Sequence, residues 1–166
     1  MGREILFRAK RKDNGEWVEG YYIYCRKRHY ILPVLNTTIG YDEREDEWIE
    51  IDPDTICQYT GLNDNTKWEK LTEAEKESFL SDWNYKKGRK NKVEDWNGRK
   101  IWENDICEMV YDGTMYVYVV VWDKSELDFK GTNGKENYKD NFEYLKCLDE
   151  ITVIGDIFDN PELLNA

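Results

Sequence analysis

Histidine is almost missing from this chain: His29 stands alone in 166 residues. That leaves one position for the side chain that most often serves as general base or metal ligand. No G-x-S-x-G, P-loop or H-E-x-x-H pattern occurs, so the common signatures of hydrolases, nucleotide-cleaving enzymes and zinc proteases are absent. The four cysteines, Cys25, Cys57, Cys107 and Cys147, form no C-x-x-C pair. Zinc sites usually show tighter ligand spacing. Reduced thiols acting as small apolar residues are therefore expected, and neither a metal nor a cofactor is predicted. The start, Met1-Gly2-Arg3-Glu4, lacks the apolar stretch of a secretory signal, which predicts a cytosolic protein. No apolar run reaches helical membrane-spanning length, and the longest β-like stretch is only Met115 to Trp122.

Aromatics and charge are plentiful instead. Seven Trp, twelve Tyr and five Phe offset a mean hydropathy of −0.87 and argue against disorder. Charged residues make up 36%, and 24 Lys and Arg face 35 Asp and Glu, for a net charge of −11. A field of that sign repels nucleic acid and anionic membranes on average. It can attract a basic protein or imitate the phosphates of DNA, although solubility alone accounts for it.

Along the chain, Ile5, Phe7 and Ala9 alternate with Leu6, Arg8 and Lys10, the period of a strand. Lys12-Asp13-Asn14-Gly15 is a turn, and Trp17-Val18 begins the returning strand. Tyr21 to Cys25 and Tyr30 to Leu35 form an extended pair joined by Arg26-Lys27-Arg28, with Pro33 marking an edge or a strand end. Residues 42–54 carry eight acids (Asp42, Glu43, Glu45, Asp46, Glu47, Glu50, Asp52 and Asp54) against Arg44 alone. They lack the alternating pattern and central glycine of a calcium loop, so a solvated acidic loop with a short strand, Trp48 to Ile51, is expected.

Thr72-Glu73-Ala74-Glu75 has the form of a capping box and predicts a helix over 73–84, with Ala74, Phe79, Leu80 and Trp83 as a weak apolar stripe. Lys86, Lys87, Arg89, Lys90 and Lys92 follow as the only strong basic run. It is either a phosphate-contacting loop or a solvated linker, and the linker is the simpler reading.

Farther on, Ile106 to Tyr111 is a strand, and Asp112-Gly113 is a two-residue hairpin turn. The return strand is apolar on both faces. Met115, Val117, Val119 and Val121 point one way, and Tyr116, Tyr118, Val120 and Trp122 the other. Such a strand is buried on both sides, so the second set is predicted as a self-association face of a homo-oligomer. Strands are also expected at Phe142 to Leu148 and Ile151 to Ile157, and a helical turn at Asn160-Pro161. The fold class is mainly β with minor α. Antiparallel sheets carry one inserted surface helix, and the C-terminal half suggests an SH3-like or partly open barrel. The boundaries read as a β region at 1–64, the inserted helix and basic loop at 65–95, and a barrel-like region at 96–166, forming one compact unit.

Four blocks then come together: Arg3 to Ala9; Gln58-Tyr59-Thr60-Gly61-Leu62; Asn97-Gly98-Arg99-Lys100-Ile101-Trp102-Glu103-Asn104-Asp105-Ile106; and Val153 to Ile157 with Asn160 to Leu163. In order and spacing they resemble the YopX family of phage and prophage proteins. The resemblance implies a mainly β, self-associating protein in the cytoplasm of a bacterial host. It implies no activity and no catalytic or binding residues. The segment from Asn65 to Asp95 departs from the family pattern as an insertion, and the usual Glu-Gly-Asp corner reads Glu103-Asn104-Asp105.

The leading functional expectation is a non-enzymatic accessory protein that binds a host or phage protein. The alternative is nucleic-acid binding through the basic insertion and the Arg26-Lys27-Arg28 turn. A remote third is a metal nuclease using Asp54, Asp128 and Lys130. Cys25 beside His29 is the only thiol with a nearby imidazole in sequence.

Overall fold

A computed structural model describes residues 5–33, 48–84, 86–133 and 142–165. Five of the eight acids in 42–54, those from Asp42 to Glu47, lie outside the described residues, as do Tyr85 and the far end of the loop expected at Asp123 to Asp140. The backbone divides into two compact units. The first comprises residues 1–58 and 67–97, the second 59–66 and 98–166. The helix and basic loop expected at 65–95 group mainly with the first.

In the first unit, β1 (Phe7–Lys10), β2 (Trp17–Cys25), β3 (Arg28–Pro33) and β4 (Ile49–Glu50) pair antiparallel in the order β4-β3-β2-β1. Register places Tyr22 opposite Ile31 and Ala9 opposite Val18. Ala9, Ile31 and Ile51 are fully buried, with Phe7, Val18, Tyr22 and Ile56 packed around them. The two-residue turn between β2 and β3 puts Arg26 and Lys27 at φ 51° and 66°. Residues at positive φ in both central positions define the turn that matches strand twist in hairpins. The strand β5 (Cys57–Asn63) starts in this unit, where Cys57 and Gln58 pair with β1. The only α-helix among the described residues, α1 (Glu73–Ser81), is three residues shorter than predicted, because Trp83 and Asn84 form β6 (Trp83–Asn84) against β7 (Arg89–Lys90).

In the second unit, the rest of β5 pairs with β8 (Lys100–Trp102). A five-stranded antiparallel sheet is built from β9 (Asp105–Tyr111), β10 (Thr114–Asp123), β11 (Asp128–Thr132), β12 (Phe142–Tyr144) and β13 (Glu150–Asp156), in the order β12-β11-β10-β9-β13. No closed barrel forms among the described residues. As the sequence predicts, Asp112 and Gly113 make the β9–β10 turn, at φ 49° and 79°.

The core of this sheet lies on one face. It contains Ile101, Cys107, Met109, Tyr118, Val120, Phe129, Leu145 and Ile151. Each fully buried aliphatic or aromatic side chain contributes about 1.5–3 kcal/mol. The segment expected as a strand through Leu148 turns after Tyr144 into a short 3-10 helix, which swings Leu145 into this core. The outer edge of β13 does not offer free ladder groups along its length. Asn65 exchanges two 2.8 Å hydrogen bonds with Ile151, and the Val153 N–H donates to Asp64 Oδ2 at 2.9 Å. A polar loop thus covers an edge that would otherwise invite pairing.

Candidate functional site

The helix and basic run form one small construction in the first unit. The capping box is present: the Glu75 N–H donates to Thr72 Oγ1 and the Thr72 N–H to Glu75 Oε1, both at 3.2 Å. Phe79 packs edge-on against Trp68 and Trp96, with ring centres 5.7 and 5.1 Å away. At the helix C-terminus, the Asn91 side chain donates to the Phe79 carbonyl at 3.0 Å, satisfying one of the acceptors a helix end leaves open. Asn84 Nδ2 donates to Asn91 Oδ1 at 3.0 Å. Arg89 forks onto Asp95 at 2.7 and 3.4 Å, and the Lys92 N–H also donates to Asp95 at 2.7 Å. Hydrogen bonds from Arg89, then from the Lys92 backbone, hold the Asp95 carboxyl below its ordinary range.

The basic run is therefore a hairpin with two sides. Asn84 and Arg89 face each other on the side bonded inward. Trp83 and Lys90 face each other on the other side, where Trp83 is 38% exposed. Lys86, Lys87, Lys90 and Lys92 are all exposed. Of the five predicted cations, Arg89 is structural and the four lysines are exposed, Lys90 directly across from the accessible Trp83 indole. The sequence reading missed Trp83, because its apolar side chain was counted toward the helix stripe. The one sequence signal was Gly88: β6 and β7 flank a turn closed by its N–H on the Asn84 carbonyl.

The predicted self-association face needs correction. Tyr118 and Val120 belong to the second unit's own core, at 9% and 0% exposure. Ile151 extends that face on β13, and Ile101 and Leu145, from outside the sheet, pack against it from within the chain. Tyr116 stacks on Tyr118 at 5.0 Å, and Trp122 packs on Phe129 at 4.8 Å while staying partly exposed. Burial raises the Tyr118 hydroxyl pKa.

The remaining candidates are held by other partners. Lys130 is buried and donates to Asp123 at 2.8 Å and Glu126 at 3.1 Å, beneath the Phe142 ring at 4.1 Å. Burial alone would lower its pKa, but these carboxylates outweigh it and push it up to about 12. Asp128 pairs with Lys146 at 2.7 Å, and the Tyr144 hydroxyl donates to Glu126 at 2.5 Å. Asp54 belongs to the first unit. Among the described residues, no three His, Cys, Asp or Glu side chains converge as metal ligands would. Cys25 lies opposite Arg28, whereas His29 lies opposite Tyr24. This offset of one residue sends thiol and imidazole to opposite faces of the sheet.

Buried carboxylates serve the fold. Asp64 accepts from the Thr66 N–H and hydroxyl, the Arg99 N–H and the Val153 N–H, all at 2.8–3.0 Å. Asp105 accepts from the Trp102 N–H at 2.8 Å, and Asp156 from the N–H groups of Phe158 and Asp159 at 2.9 Å. Gly98 sits at φ 106°, where a Cβ would collide with the Asp64 carbonyl oxygen. Asn104, at φ 73°, takes the corner position. Its N–H donates to the Val120 carbonyl at 2.8 Å, and its own carbonyl accepts from the Ile157 N–H at 3.1 Å.

These observations define a β-rich protein of two compact units whose sequence blocks build corners. The chain belongs to the YopX family: the family model for YopX protein matches residues 68–165. The match begins within the segment read as an insertion, and the blocks at Arg3 to Ala9 and Gln58 to Leu62 precede it. No curated protein matches the chain significantly. Among the described residues, no helix is long and apolar enough to cross a membrane.

Proposed function

We propose that this protein is a non-enzymatic phage or prophage accessory protein that acts in the bacterial cytoplasm by binding a protein with a basic surface. The supporting observation is the uneven division of charge. The first unit has 17 Lys and Arg against 19 Asp and Glu; the second has 7 against 16. Such a field raises the encounter rate with a basic partner and disfavours acidic ones. The β9–β10 hairpin of the same unit exposes Tyr111 at 41% and Met115 at 56%, the kinds of residue enriched in interface cores. The test is a tagged pull-down from nuclease-treated host lysate, repeated with Tyr111→Ala/Met115→Ala. One near-stoichiometric basic protein, released by high salt and lost with the variant, is expected. A lane holding only bait overturns the reading. Light scattering on the purified chain separates this from self-association through the same hairpin.

A second reading has its own support. Trp83 opposite Lys90, with Lys86, Lys87 and Lys92 nearby, has the composition of a site for single-stranded nucleic acid, where bases stack on an aromatic and cations meet phosphates. Fluorescence anisotropy with a single-stranded oligonucleotide tests it. Binding that falls steeply with salt, and is lost in both Trp83→Ala and Lys86→Glu/Lys87→Glu, is expected. Binding absent at low salt ends it.

A further inference from the structure

We propose that the first unit contains an anion-binding cleft for a small phosphate-bearing ligand of mononucleotide size. The cleft measures about 510 Å³, and its lining includes Lys12, Lys27, Arg28, His29, Glu50 and Pro53. That volume falls within the range of small-molecule sites and leaves room beyond a bare phosphate ion. Three cations and one carboxylate line it, although the chain as a whole is strongly acidic.

The sheet assembles these groups from three segments. The Lys12 N–H donates to the Glu50 carbonyl at 3.1 Å, and the Ile51 N–H to the His29 carbonyl at 3.0 Å. This joins the β1–β2 turn, β3 and the end of β4. The His29 imidazole is taken up on the other face of the sheet, where it is hydrogen-bonded to the Tyr22 hydroxyl through Nδ1 and stacks on the Tyr22 ring at 5.8 Å. Glu50 holds Lys12 at 3.3 Å and Arg28 at 3.9 Å. All three side chains are at least 31% exposed, and exposed pairs of this kind exchange readily for a more highly charged phosphate. Lys27 has no partner among the described residues.

The turn points the same way. The second unit's hairpin of the same geometry uses Asp-Gly, which tolerates positive φ, whereas this one uses Arg26 and Lys27. Side chains at such angles cost conformational energy, and this strain is found where the side chains are used.

The experiment is a two-dimensional amide NMR titration of the full chain at constant ionic strength, with adenosine 5′-monophosphate, inorganic phosphate and adenosine as probes. Saturable shifts at Lys27, Arg28 and His29 are expected with the two phosphates and not with adenosine, the nucleotide binding tighter. Lys27→Gly should raise the melting temperature, since glycine suits the turn, yet weaken nucleotide binding about tenfold. Arg28→Gln, on the exposed strand end, should weaken it similarly. The proposal is overturned by no saturable shift up to about 10 mM nucleotide, by adenosine binding equally, by inorganic phosphate binding as tightly as the nucleotide, or by Lys27→Gly leaving the affinity unchanged.

Discussion

The two units treat polar groups in opposite ways. The second buries carboxylates and an ammonium: Asp64, Asp105, Asp156 and Lys130 are each at most 7% exposed. Each is met by N–H donors or by opposite charge, so burial fixes geometry without leaving an unpaired group. The first unit has three fully buried hydrophobics at the centre of its sheet, and its cations lie outside, around Trp83 and around the β2–β3 turn. In the second unit charge specifies the fold; in the first, the Arg89–Asp95 pair does so while Lys86, Lys87, Lys90 and Lys92 stay on the surface.

Several experiments would break or sharpen this contrast. The largest effect is expected from Asp64→Ala, which removes one carboxylate from four donors on three segments. It should cost about 3–5 kcal/mol in urea denaturation, because the donors stay buried and unpaired. A loss under about 1 kcal/mol would show that the corner is not held by this carboxylate. Next, Met109→Ala in the second unit and Ile31→Ala in the first should each cost about 2–4 kcal/mol, as expected for fully buried side chains. A negligible loss at Ile31 would mean that the first sheet does not depend on its small core. Thr72→Ala should cost about 1 kcal/mol and reduce helical circular dichroism, since it removes the cap of α1.

The last effect, expected from Lys130, is read as a pH slope. Hydrogen bonds from Lys130, then from Ser125, hold the Asp123 carboxyl well below its ordinary value. The unfolded state therefore takes up protons first as the pH falls. The stability from this pair is complete above the unfolded carboxylate pKa of about 4 and declines below it. Lys130 has the opposite sign: its contribution is complete below the unfolded lysine pKa and is lost as the pH rises through about 12. Denaturation of Lys130→Met across pH 2–6 should show a shallower acid decline than the parent. An unchanged slope would place the acid sensitivity elsewhere.

Much of the fold was legible from local chemistry. The period of two in Ile5 to Lys10, the Asp112-Gly113 turn and the Thr72 to Glu75 cap each act over a few residues, so sequence spacing suffices. The errors involve distance along the chain. Tyr116, Tyr118, Val120 and Trp122 alternate onto one face, yet the residues packed with it, Ile101, Leu145 and Ile151, come from three separate segments. Spacing could not show whether that cover was a second copy or the same chain. The basic run was visible, but its sorting into one bonded arginine and four outward lysines depended on Asn91, Asp95 and the antiparallel register. The nuclease residues failed similarly. Lys130 was found as a lone charge, and its partners Asp123 and Glu126 were hidden among many other acids.

By itself, the sequence determined the β character, the turns, the helix start, the acidic balance and the family, because these follow from periodicity, backbone preference, composition and motif order. Only the tertiary structure decided which charges are spent and which are available. A carboxylate in a corner and one in a loop have the same letter, and their difference lies in the donors that folding brings within about 3 Å.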